Sequence, residues 1–182
     1  MRLFTGIDLP EDVRNALERL LIQLRPGAHL RWSPVYNLHI TTRFIGEWPD
    51  AKLEELKQAL AQVPGRAPID IKIAGLGWFP NERRPRVFWA GIHAGSELAQ
   101  LAADTNTALT TIGLAAEDRE FAPHLTLARI KGPVPLDTLH AALDRLGECE
   151  FASFQADRFH LFRSQPGAAG SIYTKLAEFR FA

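Results

Sequence analysis

The chain has 182 residues, of which 46% are hydrophobic and 23% charged, an ordinary composition for a globular protein with a sizeable core. Its 21 basic and 21 acidic residues give a net charge of zero. This balance excludes a protein that coats nucleic acid through a large basic surface, but it allows a local basic site that grips one or two phosphates.

Two further features restrict the class of protein. The single cysteine, Cys149, excludes an internal disulfide and a cysteine-based metal cluster. No apolar run is long enough to span a bilayer, and the N-terminal residues lack the apolar segment of a signal peptide. We therefore expect a cytoplasmic protein.

Hydrophobic periodicity and turn residues predict five elements in the first half of the chain. In order, they are a strand at 2–8, a helix at 10–25, a strand at 38–46, a helix at 49–63 and a strand at 68–79. Pro10 suits the first turn of its helix, and Glu11 and Asp12 complement the helix dipole.

The second half repeats this order at an offset of about 85 positions. The predicted elements are a strand at 85–93, a helix at 96–112, a strand at 124–130, a helix at 136–146 and a strand at 150–163, followed by a last strand at 171–181. The repeat, 2–80 and 86–164, predicts a single bilobal α+β domain over 1–182. We expect two similar lobes with mainly antiparallel sheets and outer helices, related by a pseudo-two-fold axis around a central cleft.

One short motif occurs in both halves. His39-Ile40-Thr41 and His124-Leu125-Thr126 each place an imidazole and a hydroxyl on the same face of a strand, because side chains alternate along strands. The same alternation directs Arg43 toward the face of His39, whereas Arg129 reaches the face of His124 only if a bulge or strand end reorients it.

Two opposed imidazoles suit phosphodiester chemistry. One, when neutral, can take a proton from the attacking oxygen, and the other, when protonated, can give one to the leaving oxygen near neutral pH. Hydroxyls of Thr41 and Thr126 can bind the non-bridging oxygens, and no metal is required. Among the aromatic residues, Trp32 and Phe44 are the candidates for stacking a nucleobase.

Other constellations have less support. A zinc site would have to combine His39 and His124 with His29, His93 or His160, but neither motif has a neighbouring carboxylate or a spaced His-Glu pair. The sequence contains no nucleophile elbow, no P-loop and no dinucleotide-binding glycine motif. We therefore expect no metal and no cofactor.

These residues resemble the 2H phosphoesterases, a family named for two H-x-T-x motifs, and most closely its bacterial RNA 2′,3′-cyclic phosphodiesterases, which are also called 2′-5′ RNA ligase-like. The resemblance covers nearly the whole chain. The segments that carry it are 2–4, 31–32, 37–47, 87–91, 123–129 and 161–164, with Tyr173.

The resemblance implies metal-independent hydrolysis of RNA-terminal 2′,3′-cyclic phosphates to 2′-phosphates, with reversible 2′-5′ RNA ligation in some relatives. It implies His124 as the proton acceptor and His39 as the proton donor, with Thr41, Thr126 and Arg129 holding the phosphate.

Two alternatives stay open at this point. The same chemistry can act on small cyclic nucleotides or on an ADP-ribose cyclic phosphate, and a non-catalytic module can bind RNA ends without turnover. In each case the partner carries a phosphate, no membrane is involved, and we expect a monomer.

Overall fold

The computed structural model describes all 182 residues, and its elements follow the predicted order closely. The nine strands are β1 (Arg2–Asp8), β2 (Arg31–Trp32), β3 (His39–Glu47), β4 (Ile69–Phe79), β5 (Val87–His93), β6 (His124–Arg129), β7 (Glu150–Ala156), β8 (Arg158–Gly167) and β9 (Gly170–Arg180). The four α-helices are α1 (Glu11–Leu24), α2 (Leu53–Leu60), α3 (Glu97–Thr110) and α4 (Asp137–Leu146).

The strands form two antiparallel sheets that have equivalent layouts. The first sheet has the order β3-β1-β8-β9, and the second has the order β2-β6-β5-β4-β7. In each sheet the motif strand, β3 or β6, pairs with the strand that begins its half of the chain, β1 or β5. The predicted α+β fold with two similar, mainly antiparallel lobes is confirmed.

The sheets exchange strands between the two halves of the chain. β4 comes from the first half but pairs with β5 in the second sheet, whereas β8 and β9 return to the first sheet beside β1. The predicted strand at 150–163 was wrong, because the chain changes sheets at Asp157 and forms β7 and β8 instead. The lobes therefore do not coincide with the repeats 2–80 and 86–164.

One apolar core of 31 buried residues joins both sheets to the helices. The predicted stripe of α1 is buried, and its members are Val13, Leu17, Leu20, Leu21 and Leu24. Burial of such a stripe, not intrinsic propensity, supplies most of the stability of a helix of this length. None of the helices combines the length and apolar character that crossing a bilayer demands.

Candidate active site

The His39 imidazole is fixed at the start of β3 by two hydrogen bonds. Its Nδ1–H donates to the Asn37 carbonyl oxygen at 2.7 Å, and its Nε2 lies 3.0 Å from the Thr41 hydroxyl. Because a carbonyl can only accept, the proton on Nδ1 is assigned, and Nε2 is the nitrogen that can gain or lose a proton.

The His124 imidazole has the equivalent environment at the start of β6. Its Nδ1–H donates at 2.8 Å to the carbonyl oxygen of Ala122, two residues earlier in the chain, as His39 donates to Asn37. The two motifs therefore fix the same tautomer, and in both rings Nε2 is left for chemistry. Strands β3 and β6 contact each other, so the motifs meet between the two sheets.

Aromatic rings surround His39. Phe4 on β1 stacks on the imidazole with a centroid distance of 4.6 Å, and Tyr173 on β9 meets it edge-on at 5.0 Å. Phe162 on β8 stacks on Phe4 at 5.0 Å. This wall limits the access of water to the ring.

The surroundings of His39 lower its pKa. Burial has the largest effect and lowers the pKa. The hydrogen bond to the Asn37 carbonyl and the charge of Asp8 raise the pKa, and the charges of His124 and Arg129 lower it further. The net result is a pKa below the ordinary histidine value of 6.5. This influence also indicates that His124 and Arg129 lie near His39 across the cleft.

A β-bulge in β3 changes the direction of the residues after Thr41. Gly6 pairs with Thr41 but Thr5 pairs with Arg43, which leaves Thr42 unpaired as the extra residue. Thr42 is buried, and its hydroxyl bonds that of Thr5 at 2.7 Å. In such a bulge two consecutive residues oppose a single partner, so simple alternation fails beyond this point.

Arg43 is consequently buried and does not face the phosphate site, so that prediction was wrong. Its Nε donates to the Asn106 side chain on α3 at 3.2 Å, and its Nη atoms donate to the carbonyl oxygen of Ala115 and to Glu117. Arg43 thus connects β3 to the segment that leads into His124.

The same bulge places Phe44 on the face of β3 that carries His39 and Thr41. It pairs with Phe4, their ring centroids are 6.3 Å apart, and 53% of its surface is exposed. Alternation from His39 would have placed it on the core side. The structure leaves this ring open to solvent beside the wall that surrounds His39, as a stacking platform requires.

A matching bulge in β6 turns Arg129 toward the cleft. Trp89 pairs with Thr126 but Phe88 pairs with Ala128, so Leu127 is the extra residue. Leu127 and Ala128 are both buried, and Arg129 is exposed on the face of His124 and Thr126. The structure thus meets the condition under which the sequence allowed Arg129 to reach the site.

Trp32 points to the core side of the second sheet, away from the face that carries His124, so that prediction was also wrong. It pairs with Ala128 on the core side of the sheet and meets the fully buried ring of Phe88 edge-on at 6.0 Å. Its indole N–H donates to the Ala28 carbonyl oxygen at 3.1 Å.

Several residues at the site were not singled out by sequence reasoning. Asp8 pairs with His39 across β1 and β3 and accepts hydrogen bonds from Arg14 and the Leu9 backbone. Phe79 at the end of β4 meets His124 edge-on at 5.0 Å. The strand exchange brings these groups together, and no local sequence signal reports it.

The arrangement offers proton transfer and anion binding but no metal-binding cluster. No three His, Cys, Asp or Glu side chains lie together in a way that suits a metal ion. The cleft contains two imidazoles in the same tautomeric form, two threonine hydroxyls and one unpaired guanidinium. This set can bind an anion and move protons on both sides of it.

Comparison with known proteins agrees with this geometry. The family model described as LigT like Phosphoesterase matches residues 7–89 and again residues 93–173. A curated RNA 2′,3′-cyclic phosphodiesterase of Methanothermobacter thermautotrophicus is 32% identical over 99% of this chain and 98% of its own length. Another of the same name from Thermus thermophilus is 35% identical over 98% of this chain and 89% of its own.

Solved structures share the fold over the whole chain. The structure of TT0787 from Thermus thermophilus has a TM-score of 0.81 and 32% identity, and the match covers 100% of this chain and 98% of that one. The structure of Escherichia coli LigT complexed with 3′-AMP has a TM-score of 0.76 and 25% identity, with 98% and 97% covered.

Proposed function

Because the chain belongs to the family of LigT-like phosphoesterases, the 2H phosphoesterases that the sequence resembles, we propose that it hydrolyses the 2′,3′-cyclic phosphate at RNA ends to a 2′-phosphate. The names of its relatives in archaea and bacteria support this substrate class.

The paired tautomers are the observation that most supports a two-histidine mechanism. Each ring is locked through Nδ1 by the carbonyl two residues before it, so each presents Nε2 to the cleft. A binding module needs donors and charges but not two imidazoles that each keep one ring nitrogen available for proton transfer. We therefore favour catalysis over simple capture of RNA ends.

In the proposed reaction the neutral Nε2 of His124 takes a proton from water as its oxygen attacks phosphorus. The bond from phosphorus to the 3′ oxygen breaks, and the protonated Nε2 of His39 gives its proton to that oxygen. The products are a 2′-phosphate and a free 3′-hydroxyl. Each imidazole contributes about 10²–10⁴-fold in rate by such proton transfer.

Thr41, Thr126 and Arg129 hold the non-bridging oxygens in this proposal, where negative charge accumulates. In the free protein the Thr41 hydroxyl occupies the place at His39 Nε2 that the leaving oxygen takes when substrate binds. Phe44 offers its exposed ring to the terminal base. When a 5′-hydroxyl replaces water as the attacking group, the same groups act, the bond from phosphorus to the 3′ oxygen again breaks, and the product is a 2′-5′ linkage.

The low pKa of His39 fits the donor role only when a phosphate is bound. In the free protein its burial favours the neutral ring. A phosphate anion beside the imidazole adds a negative charge that favours the protonated ring. Substrate therefore supplies the charge that prepares its own proton donor.

We further propose that the protein needs no metal or cofactor and acts as a monomer in the cytoplasm. Two imidazoles supply both proton transfers, so a Lewis acid has no necessary step. The free thiol of Cys149 is typical of proteins in a reducing compartment.

The test is hydrolysis of an oligonucleotide that ends in a 2′,3′-cyclic phosphate, in the presence of a chelator. We expect a 2′-phosphate as product, and losses of at least about 10²-fold in kcat for His39→Gln and for His124→Gln with unchanged melting temperature. The matched control is His29→Gln, which removes an exposed imidazole that belongs to neither motif. Full activity in either site variant, a 3′-phosphate product or complete inhibition by chelator would overturn the mechanism.

A further inference from the structure

Two arginines lie opposite each other at the edge of the second sheet. Arg31 on β2 pairs directly with Arg129 on β6, and the neighbouring pair is Trp32 with Ala128. Trp32 and Ala128 face the core, so Arg31 and Arg129 share the other face, on which His124 and Thr126 also lie.

Nothing in the chain neutralises this pair. Both arginines are exposed, and neither guanidinium forms an ion pair or a hydrogen bond within the protein. Side chains directly opposite in an antiparallel pair have Cβ atoms about 4.5–5.5 Å apart, and like charges in such positions destabilise the sheet. An anionic ligand that binds beside these two unpaired cations would offset their mutual repulsion.

The two guanidiniums lie at different distances from the chemistry. Arg129 follows Thr126 on the motif strand itself, and its charge acts on His39. Arg31 lies one strand farther out, about 4.8 Å away in the direction of the sheet. A phosphate held by the histidines and Arg129 therefore leaves Arg31 free for a second phosphate of the same ligand.

Further unpaired arginines continue beyond this edge. Arg83, Arg84 and Arg86 are exposed in the β4–β5 connection, and none forms an ion pair. The carbonyl oxygen of Arg86 accepts the backbone N–H of Ile130, directly after Arg129. The positive surface thus extends outward from the cleft on the side of the second sheet.

We propose that Arg31 binds the phosphate on the 5′ side of the terminal nucleotide and so makes the protein prefer oligonucleotides over cyclic mononucleosides. This inference rests on the proposed function and adds a specificity residue to it. A planar guanidinium suits bidentate contact with one phosphate. The RNA chain then leaves the cleft along the arginines of the second sheet.

The experiment compares Arg31→Gln with the unaltered protein on two substrates. One is adenosine 2′,3′-cyclic phosphate, which has a single phosphate, and the other is the dinucleotide ApA ending in a 2′,3′-cyclic phosphate. We expect kcat/KM to fall about tenfold or more on the dinucleotide and less than about twofold on the mononucleoside. Arg19→Gln, which removes an exposed arginine from α1, is the control for net charge.

Salt dependence and product binding give two further readouts. The slope of log kcat/KM against log salt concentration for the dinucleotide should decrease by about 0.7 in Arg31→Gln, the value for one phosphate of a single strand. Affinity for the 2′-phosphorylated dinucleotide should fall, and affinity for 2′-AMP should not. Because binding needs no turnover, this comparison tests Arg31 even if the proposed hydrolysis fails.

Equal losses on both substrates would overturn the proposal, because they would place Arg31 at the terminal phosphate or make it structural. No loss on either would overturn it as well. Failure of the unaltered protein to hydrolyse either substrate would instead refute the proposed function, and product affinities would then decide the role of Arg31.

Discussion

Phe44 and Arg129 occupy equivalent positions in the two motif strands, about 85 residues apart, and each follows a β-bulge that turns it toward the cleft. In β3 the bulge comes between the partners of Thr5 and Gly6, and in β6 between those of Phe88 and Trp89. The same backbone device thus presents an exposed aromatic ring on one side and a cation on the other. We relate the ring to base binding and the cation to phosphate binding.

Arg129→Gln should therefore impair the chemical step for every cyclic phosphate. Loss of one preorganised donor to developing charge typically costs about 10²–10³-fold in kcat. The side chain is exposed and unpaired, so thermal stability should not change. Steady-state kinetics on a mononucleoside and an oligonucleotide substrate check this, and an effect confined to the oligonucleotide would contradict it.

Phe44→Leu should instead weaken binding of the nucleotide. Stacking of a base on an aromatic ring contributes about 1–3 kcal/mol, so we expect KM for adenosine 2′,3′-cyclic phosphate to rise about fivefold or more with a smaller change in kcat. A cyclic phosphate of a simple diol, which has no base, is the matched substrate, and its KM should be unaffected. A parallel rise in both KM values would argue against stacking.

The bulges also show where sequence reasoning succeeds and where it fails. Alternation placed His39 with Thr41 and His124 with Thr126 correctly, because no irregularity interrupts those pairs. It misplaced Arg43 and Phe44, because the extra residue, Thr42, carries no signal that separates it from an ordinary strand residue. Trp32 was misjudged for a related reason: its orientation is set by pairing with Ala128, which follows the bulge at Leu127 on a strand far along the chain.

Arg43 stabilises the chain around the site although its side chain does not face the cleft. Substituting Arg43→Met leaves the Ala115 carbonyl, Asn106 and Glu117 without their buried partner. Loss of such charge-assisted bonds should destabilise the protein by about 2 kcal/mol. In a chain of this size that corresponds to a fall in melting temperature of about 4–8 °C.

Arg119→Gln is the control for this substitution. Arg119 binds the same carboxylate as Arg43, since its side chain donates to both oxygens of Glu117, and together with the Arg119 backbone N–H it lowers the pKa of that carboxyl to about 2. Arg119 is nevertheless exposed, and exposed pairs contribute little. Similar melting temperatures for Arg43→Met and Arg119→Gln would show that the Arg43 network does not stabilise the fold.

The pKa of His39 should rise when a phosphate ligand binds. In the free protein burial keeps it below 6.5, and a bound anion opposes that effect. Titration of the imidazole ¹⁵N signals by NMR, without ligand and with saturating 2′-AMP, measures the change directly. His39→Gln identifies the signal. A pKa that stays the same or falls in the complex would exclude His39 as the proton donor.

The aromatic wall that lowers this pKa could not have been read from the motif. Phe4, Phe162 and Tyr173 come from three strands, and β8 and β9 reach His39 only because the chain returns to the first sheet after β7. The repeat suggested two self-contained halves. When the two halves of a chain exchange strands, the motif residues themselves can be predicted from local spacing. The groups that shift their pKa values are brought in by long-range strand pairing and cannot be predicted in this way.

His160 should make the stability of the protein depend on pH. This side chain is 5% exposed on β8, its Nδ1 has no hydrogen-bond partner, and Nε2 lies 3.4 Å from Glu178. Its pKa is lowered, mainly by burial and next by the charge of Lys175, while Asp8 and Glu178 oppose the shift. The unfolded chain, with an ordinary value of 6.5, therefore binds a proton more readily than the native state.

Since the unfolded state gains that proton first, the contribution of His160 is fully present above pH 6.5 and is lost as pH falls toward the native pKa. We expect the free energy of unfolding, measured with urea from about pH 7.5 to about pH 5, to decrease less steeply for His160→Gln than for the unaltered protein. His39 shifts in the same direction and remains in both proteins, so the difference in slope isolates His160. His29→Gln, which removes an exposed imidazole, is the control for the loss of a histidine as such. If His160→Gln and the unaltered protein have parallel curves, protonation of His160 is not coupled to unfolding.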